Sequence, residues 1–306
     1  MDIMQLFGLI VREGWGEAQI DEPLSRHTTW RIGGPADLFY QPAGWEACSR
    51  VLSLAGAWQI PVTFLGAGSN VLVADEGIRG LVIHTKRLKS LSWQGHTAVA
   101  GSGTALAYLS GAAAEKGLSG LEFAAGIPGT LGGAVIMNAG AYGKSLGELV
   151  TEVKTIAKSG EVKVYSQEQM EFSYRSSILQ KKDELVVEVK IVLKTGNHLE
   201  IKKLTEEYLE LRRHKHPLDL PNAGSVFKNP RGVPAAKLIE EVGAKGWRVG
   251  DAQVSVQHAN FIVNLGKAKA CDVLKLIEKV REAVKTKYSV QLETEVIKLG
   301  FDDNRR

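Results

Sequence analysis

Six glycines fall between positions 126 and 143, in the stretch Gly126-Ile-Pro-Gly-Thr-Leu-Gly-Gly-Ala-Val-Ile-Met-Asn-Ala-Gly-Ala-Tyr-Gly143. A plain loop this rich in glycine would carry polar residues, whereas this one is small and apolar apart from Tyr142. That composition suits backbone lying against a buried, flat or phosphate-bearing ligand, because glycine lacks the Cβ that would hold the ligand away. Thr130 stands where it can cap a short helix over residues 131–137, whose N–H groups would face a phosphate. The residues expected to touch the cofactor are Gly126, Ile127, Pro128, Gly129, Thr130, Gly132, Gly133, Asn138, Ala139, Gly140, Ala141 and Tyr142.

A second cluster, Gly66-Ala67-Gly68-Ser69-Asn70, follows an apolar run at 62–65. A dinucleotide-binding turn of the common kind needs a third glycine at position 71 and a helix starting there. Position 71 is valine, and Val71-Leu72-Val73 reads as a strand. Gly101-Ser-Gly-Thr fails at the same place, and neither run has the Lys-Ser/Thr ending of a nucleoside triphosphate loop. Residues 66–70 therefore read either as an anion-binding nest, with Ser69 and Asn70 adding donors, or as a tight turn between strands.

The chain has 306 residues, enough for two domains, and its net charge of +4 is too small to imply nucleic acid while suiting an anionic ligand. Neither a leader nor a membrane span is evident, so a cytoplasmic protein is expected. Cys48 and Cys271 form no CxxC pair and read as apolar fillers. Residues 1–30 suggest a helix and an irregular approach. Helices are expected at 45–57, 105–116, 199–216, 235–242 and 267–287. Strands are expected at 37–40, 62–65, 71–73, 81–84, 90–93, 97–100, 149–157, 161–165, 184–193 and 290–299. Apolar residues Val273, Leu274, Ile277, Val280 and Val284 mark a core-facing stripe. The mixture indicates an α+β fold. Composition shifts near residues 195–197, which divides the chain into 1–196 (subdomains of about 1–85 and 86–196) and 197–306.

Several polar residues could do chemistry. Arg175, between aromatic and hydroxyl residues in Phe172-Ser-Tyr-Arg-Ser-Ser177, could grip a carboxylate through its planar fork or be an ordinary surface arginine. Ser225, in the turn-rich segment Asn222-Ala-Gly-Ser-Val-Phe-Lys-Asn-Pro230, is a hydroxyl flanked by small and apolar residues and reads either as a reactive group or, more commonly, as a structural serine in a turn. Glu293 and Glu295 point to one face of the closing strand, as a site or as an ordinary solvated face. His214-Lys-His216 has no carboxylate or cysteine at ligand spacing, so no metal is expected.

Taken together, these segments resemble the UDP-N-acetylenolpyruvoylglucosamine reductases of bacterial cell-wall synthesis. The resemblance is carried by His27-Thr-Thr29, Arg31-Ile-Gly-Gly-Pro-Ala36, Gly66–Asn70, Gly126–Gly133, Met137–Gly143, Tyr174-Arg175, Ala223–Pro230 and Leu292-Glu-Thr-Glu-Val296. It implies a non-covalent FAD held by two α+β subdomains of the vanillyl-alcohol-oxidase type, followed by a C-terminal substrate domain. It also implies NADPH as reductant, UDP-N-acetylglucosamine enolpyruvate as substrate, and a monomer of the shorter subgroup that lacks a tyrosine loop. Arg175, Ser225 and Glu295 would be catalytic; Tyr174, Lys215 and Asn229 would contact substrate. Thr294 stands where the family often has proline, so strand geometry there should differ slightly.

Two other readings compete. A flavin oxidase of the same fold would often carry a flavin-linking histidine near the first loop, and residues 66–70 hold none. A non-catalytic nucleotide-binding module explains the glycines and leaves Arg175, Ser225 and Glu295 without a purpose.

Overall fold

The computed structural model describes residues 2–301. The chain forms two compact units, both discontinuous in sequence. The first comprises residues up to 21, 37–67 and 80–212; the second comprises 22–36, 68–79 and 213 onward. This differs from a single break at 196. The helix His198–Lys215 stays with the first unit as far as Arg212 because its side chains pack there. Ile201 is buried, Tyr208 joins the apolar core of that unit, and Arg212 lies against Gly126.

The first unit contains two sheets. One has the strand order Gly16–Pro23, Pro35–Pro42, Ile78–His84, Val62–Leu65, the last pair being parallel. The helix Trp45–Ala57 packs on it because Cys48, Val51, Leu52 and Ala55, at helical spacing, are all buried. The other sheet is antiparallel throughout, in the order Val162–Ser166, Val150–Ala157, Glu184–Val192, Thr97–Gly101, Leu91–Gln94. Its Leu91–Gln94 hairpin turns at Gly95, whose φ of 58° is one that glycine adopts without strain. The helices Leu106–Glu115 and Leu131–Ile136 bury their apolar faces with this sheet.

In the second unit the helices Ala235–Glu241 and Ala270–Tyr288 share a core with the three-stranded antiparallel sheet Arg248–Val249, Ala252–Val254, Ile262–Asn264. The stripe of the long helix is Val273, Leu276, Ile277, Val280 and Val284, with Leu276 rather than Leu274 fully buried. Trp30 locks residues 22–36 into this unit: it is fully buried and its indole N–H donates to the Ile262 carbonyl at 2.8 Å. Asp75 caps the long helix from 195 residues away, its two carboxylate oxygens accepting from Ala270 N at 2.7 Å and Cys271 N at 3.0 Å.

Three expectations need correction. The N-terminal helix is present as Ile3–Arg12, but Gly16–Pro23 is a strand; its half-exposed, polar alternation hid it. The closing strand spans only Ile297–Leu299, which pairs in parallel with Val71–Val73. The chain before it is held at a single bridge, Phe227 opposite Thr294, and changes partner at Glu295. Cys48 is a core residue whose thiol burial pushes up to about 12, whereas Cys271 is exposed at the start of the long helix. Among the described residues no helix is long and apolar enough to cross a membrane.

Candidate active site

The first unit supplies the glycine cradle. Thr130 occupies the N-cap position of Leu131–Ile136 with extended backbone, but its hydroxyl makes no capping bond. It is buried without a hydrogen-bond partner, and so is the hydroxyl of Ser102. Glycines surround both groups. A Cβ on Gly66 would come within 2.6 Å of the Thr130 hydroxyl, and one on Gly132 within 2.8 Å of the Ser102 Cβ. The first two N–H groups of this helix, expected to face a phosphate, are bonded within the protein. Leu131 N donates to Thr104 O at 2.8 Å and Gly132 N to Ser102 O at 2.9 Å. What remains is a pair of buried hydroxyls, Ser102 and Thr130, without a hydrogen-bond partner in the protein. A buried hydroxyl without a partner costs about 1–3 kcal/mol, a penalty that an oxygen-rich ligand removes. The residues present therefore fit FAD.

At the edge of the cradle, Tyr142 stacks on Tyr208 (centroids 4.1 Å apart, planes 3° from parallel) and donates its hydroxyl to the Tyr208 carbonyl at 2.9 Å. Arg212 lies beside them, its Cδ 2.7 Å from where a Cβ on Gly126 would stand. Burial lowers the pKa of Arg212, and the neighbouring Tyr142 opposes that shift.

Arg175 sits on a two-residue turn closed by reciprocal backbone hydrogen bonds between Ser173 and Ser176, both 3.1 Å. Its φ is +54°, a left-handed conformation that costs a non-glycine residue about 1–2 kcal/mol. Strain of this kind persists where surrounding bonds over-determine it. Here Gln180 Nε2 donates to Arg175 O at 2.9 Å, and Asn138 Nδ2 donates to Ser173 O at 2.8 Å. The Arg175 guanidinium lies 5.4 Å from the ring centre of Tyr174, which is exposed. Asn138 is buried, and its Oδ1 also accepts from Gly147 N at 2.8 Å. Its amide therefore serves the protein, although the sequence marked it as a cofactor contact.

Ser225 and Glu295 belong to the second unit, on segments that pair with each other. Glu295 N donates to Val226 O at 2.8 Å, and Lys228 N donates to Glu293 O at 2.9 Å. These bonds come from the neighbours of Thr294, so a proline at 294 would cost this bridge nothing and Thr294 leaves it intact. Glu293 is exposed and approaches Lys228 at 3.5 Å, whereas Glu295 is half-buried. Asn70 Nδ2 donates to Glu295 O at 3.1 Å, so this amide too is used within the unit. Lys215 is exposed at the end of its helix. The Oδ1 of Asn229 accepts from Ala235 N at 3.0 Å, at the start of the helix Ala235–Glu241. His216 packs against Phe261 and edge-on to His258. Among the described residues no group of three His, Cys, Asp or Glu is placed to hold a metal ion.

Residues 36–166 match the FAD binding domain family, and residues 216–299 match the family described as UDP-N-acetylenolpyruvoylglucosamine reductase, C-terminal domain. The reductase of Moorella thermoacetica is 46% identical over 296 residues, covering 97% of this chain and 98% of that protein. The chain belongs to the UDP-N-acetylenolpyruvoylglucosamine reductase family. The reductase of Caldanaerobacter subterraneus subsp. tengcongensis is 43% identical, covering 93% of this chain and 94% of its own. The crystal structure of the Thermus caldophilus reductase has a TM-score of 0.79 at 37% identity, covering 93% of this chain and 98% of that one. As a member of this reductase family, the protein is an FAD-dependent oxidoreductase with an FAD-binding domain and a C-terminal domain.

Against this family background, sequence reasoning missed Ser102, Arg212 and Asn260. Ser102 lay in a small-residue run set aside for failing the dinucleotide pattern. Arg212 and Asn260 carry no local signal, because the groups they touch are distant in sequence.

Proposed function

We propose that this reductase converts UDP-N-acetylglucosamine enolpyruvate to UDP-N-acetylmuramate for peptidoglycan precursors, with NADPH as the reductant and Arg175, Ser225 and Glu295 as the catalytic residues. The observation that carries the residue assignment is the direct pairing of the Ser225 and Glu295 segments through Glu295 N and Val226 O. Two motifs 70 residues apart in sequence thereby present a hydroxyl and a carboxyl from adjacent main chain. The strained turn at Arg175 supports the third assignment, since such strain collects at functional positions.

FAD, when bound, accepts electrons from NADPH and supplies a hydride to the terminal carbon of the enol ether. Ser102, Thr130 and the glycine segments at 66–67 and 126–143 hold it. That carbon is electron-rich, so the adjacent carboxylate must take up the developing negative charge. Arg175 grips this carboxylate with its planar fork. Glu295, protonated, donates a hydrogen bond to it. Ser225 delivers a proton to the neighbouring carbon and regains one from solvent, which completes addition of hydride and proton across the double bond. Tyr174, Lys215 and Asn229 contact the sugar nucleotide, whose diphosphate suits the net charge of +4. The unit of residues up to 21, 37–67 and 80–212 carries the flavin function and the unit of 22–36, 68–79 and 213 onward the substrate function, and the enzyme acts as a cytoplasmic monomer.

The test is Ser225→Ala with the two half-reactions followed separately by flavin absorbance. Reduction by NADPH should stay at the normal rate while reoxidation by the enolpyruvyl substrate slows by about 100-fold or more. A fast second half-reaction removes the proton-donor assignment.

A further inference from the structure

We propose that Asn138, Asn260 and Asn70 are positioning residues, each holding the main chain that carries one of the three catalytic side chains. This rests on the assignment of Arg175, Ser225 and Glu295 above. In all three places the same group does the work: the side-chain Nδ2 donates to a backbone carbonyl within two residues of the catalytic position.

Asn138 Nδ2 donates to Ser173 O at 2.8 Å, two residues before Arg175. Its Oδ1 accepts from Gly147 N at 2.8 Å, so one amide ties the Arg175 turn to the chain after the glycine segment. Asn138 adopts φ +41°, a conformation that asparagine tolerates better than most residues. Asn260 is 3% exposed. Its Nδ2 donates to Phe227 O at 2.8 Å and its Oδ1 accepts from Phe227 N at 2.9 Å, while its own carbonyl accepts from Val226 N at 2.8 Å. These three bonds hold the two residues that follow Ser225. Asn70 Nδ2 donates to Glu295 O at 3.1 Å, and the Asn70 carbonyl accepts from Ile297 N at 3.0 Å.

Each catalytic segment lies where regular strand pairing is reduced to a single bridge, Ser173 with Ser176 or Phe227 with Thr294. A strand would hold such main chain with successive ladder bonds; here a side-chain amide, with a donor and an acceptor like the peptide's own, takes their place. Catalytic geometry is demanding enough that a displacement of about 1 Å can cost on the order of 100-fold in rate. The asparagines touch no reacting atom, so their effect passes through Arg175, Ser225 and Glu295.

Aspartate is the informative replacement, because it keeps the size and acceptor oxygen and loses the donated N–H. Holoenzymes carrying Asn138→Asp, Asn260→Asp or Asn70→Asp are mixed with NADPH and then with UDP-N-acetylglucosamine enolpyruvate, and flavin absorbance is followed. In Asn260→Asp, which lies outside the flavin-holding segments, flavin reduction should remain within about twofold of the parent, and in all three variants reoxidation at saturating substrate should fall about 10- to 100-fold and by more than reduction does. Asn260→Asp should also raise the solvent deuterium isotope effect on reoxidation, since it acts on the proton donor. Asn70→Asp should move the pH profile of reoxidation, since it acts on the glutamate. Unchanged reoxidation overturns the proposal, and so does a parallel loss of both half-reactions. Where an aspartate variant yields no holoenzyme, the serine variant at that position is judged by the same criteria, and failure of both to retain FAD also overturns it. Arg175→Lys, Ser225→Ala and Glu295→Gln are run beside them. If these three reoxidise normally, the catalytic assignment is wrong; if they are slow and the asparagine variants are not, the positioning role alone fails.

Discussion

Removing the Ser102 hydroxyl should strengthen the apoprotein and weaken its hold on FAD. The side chain is 1% exposed, and its oxygen has no hydrogen-bond partner in the protein. Ser102→Ala keeps the Cβ against which Gly132 packs and deletes only the oxygen. In the apoprotein that oxygen has lost its water and gained nothing, so its removal should add about 1 kcal/mol of stability. For a chain of this length that corresponds to an increase of about 1.5 °C in Tm. With FAD bound the oxygen gains a partner, and its loss should cost about 1–2 kcal/mol, or roughly 5- to 30-fold in Kd. Chemical denaturation of apoprotein and a fluorescence titration with FAD measure the two quantities independently. The opposite signs carry the argument. An apoprotein that loses stability while FAD affinity is unchanged would mean that the hydroxyl serves the fold, and the flavin-cradle reasoning would be refuted.

Arg175→Gly removes the strain at φ +54° and should raise Tm slightly, by about 1 kcal/mol of stability; substrate reduction should fall by about 100-fold or more, measured as flavin reoxidation. Asp75→Ala deletes the long-range cap on Ala270–Tyr288 and should cost about 1–2 kcal/mol in denaturant titrations, with flavin reduction unaffected. Glu184 is buried, which by itself would raise its pKa; hydrogen bonds from Thr155, Tyr165 and Lys163 outweigh that effect and hold the carboxyl below its usual range. A depressed folded pKa gives stability that is present above the unfolded value of about 4.3 and is lost as pH falls through the folded value. The stability difference between the parent and Glu184→Gln should therefore shrink on acidification below about pH 4. A difference that stays constant through that range removes the linkage.

Helix and strand patterning was legible wherever burial follows sequence period. Positions 48, 51, 52 and 55 repeat on one helical face, and all four are buried in Trp45–Ala57. The strands Val62–Leu65 and Val71–Val73 show as short apolar runs bounded by glycine and turn residues. The motifs proposed to be catalytic stood out only through their order along the chain, because a single serine or glutamate carries no sign of its use. The strand Gly16–Pro23 was not legible, since its residues alternate between half-buried and exposed and never present a fully apolar face. Short strands such as Arg248–Val249 and Ala252–Val254 contain too few residues for any period to appear.

By itself, the sequence determined that the fold is α+β, pointed to backbone close to a ligand at 126–143, left 66–70 as either an anion-binding nest or a tight turn, and named Arg175, Ser225 and Glu295 as the side chains to test. These follow from local composition and from motif order. Only the tertiary structure decided how the polar groups are spent. It gave the amides of Asn70 and Asn138 to backbone carbonyls, used the first N–H groups of Leu131–Ile136 within the protein, and left Ser102 and Thr130 as the buried hydroxyls without partners. It also sent residues 22–36 and 68–79 into the unit formed by the C-terminal third. The physical reason is range. A period of two or 3.6 residues is written in neighbouring positions, whereas a hydrogen bond between Asn70 and Glu295 spans 225 residues and leaves no mark on the residues around either end.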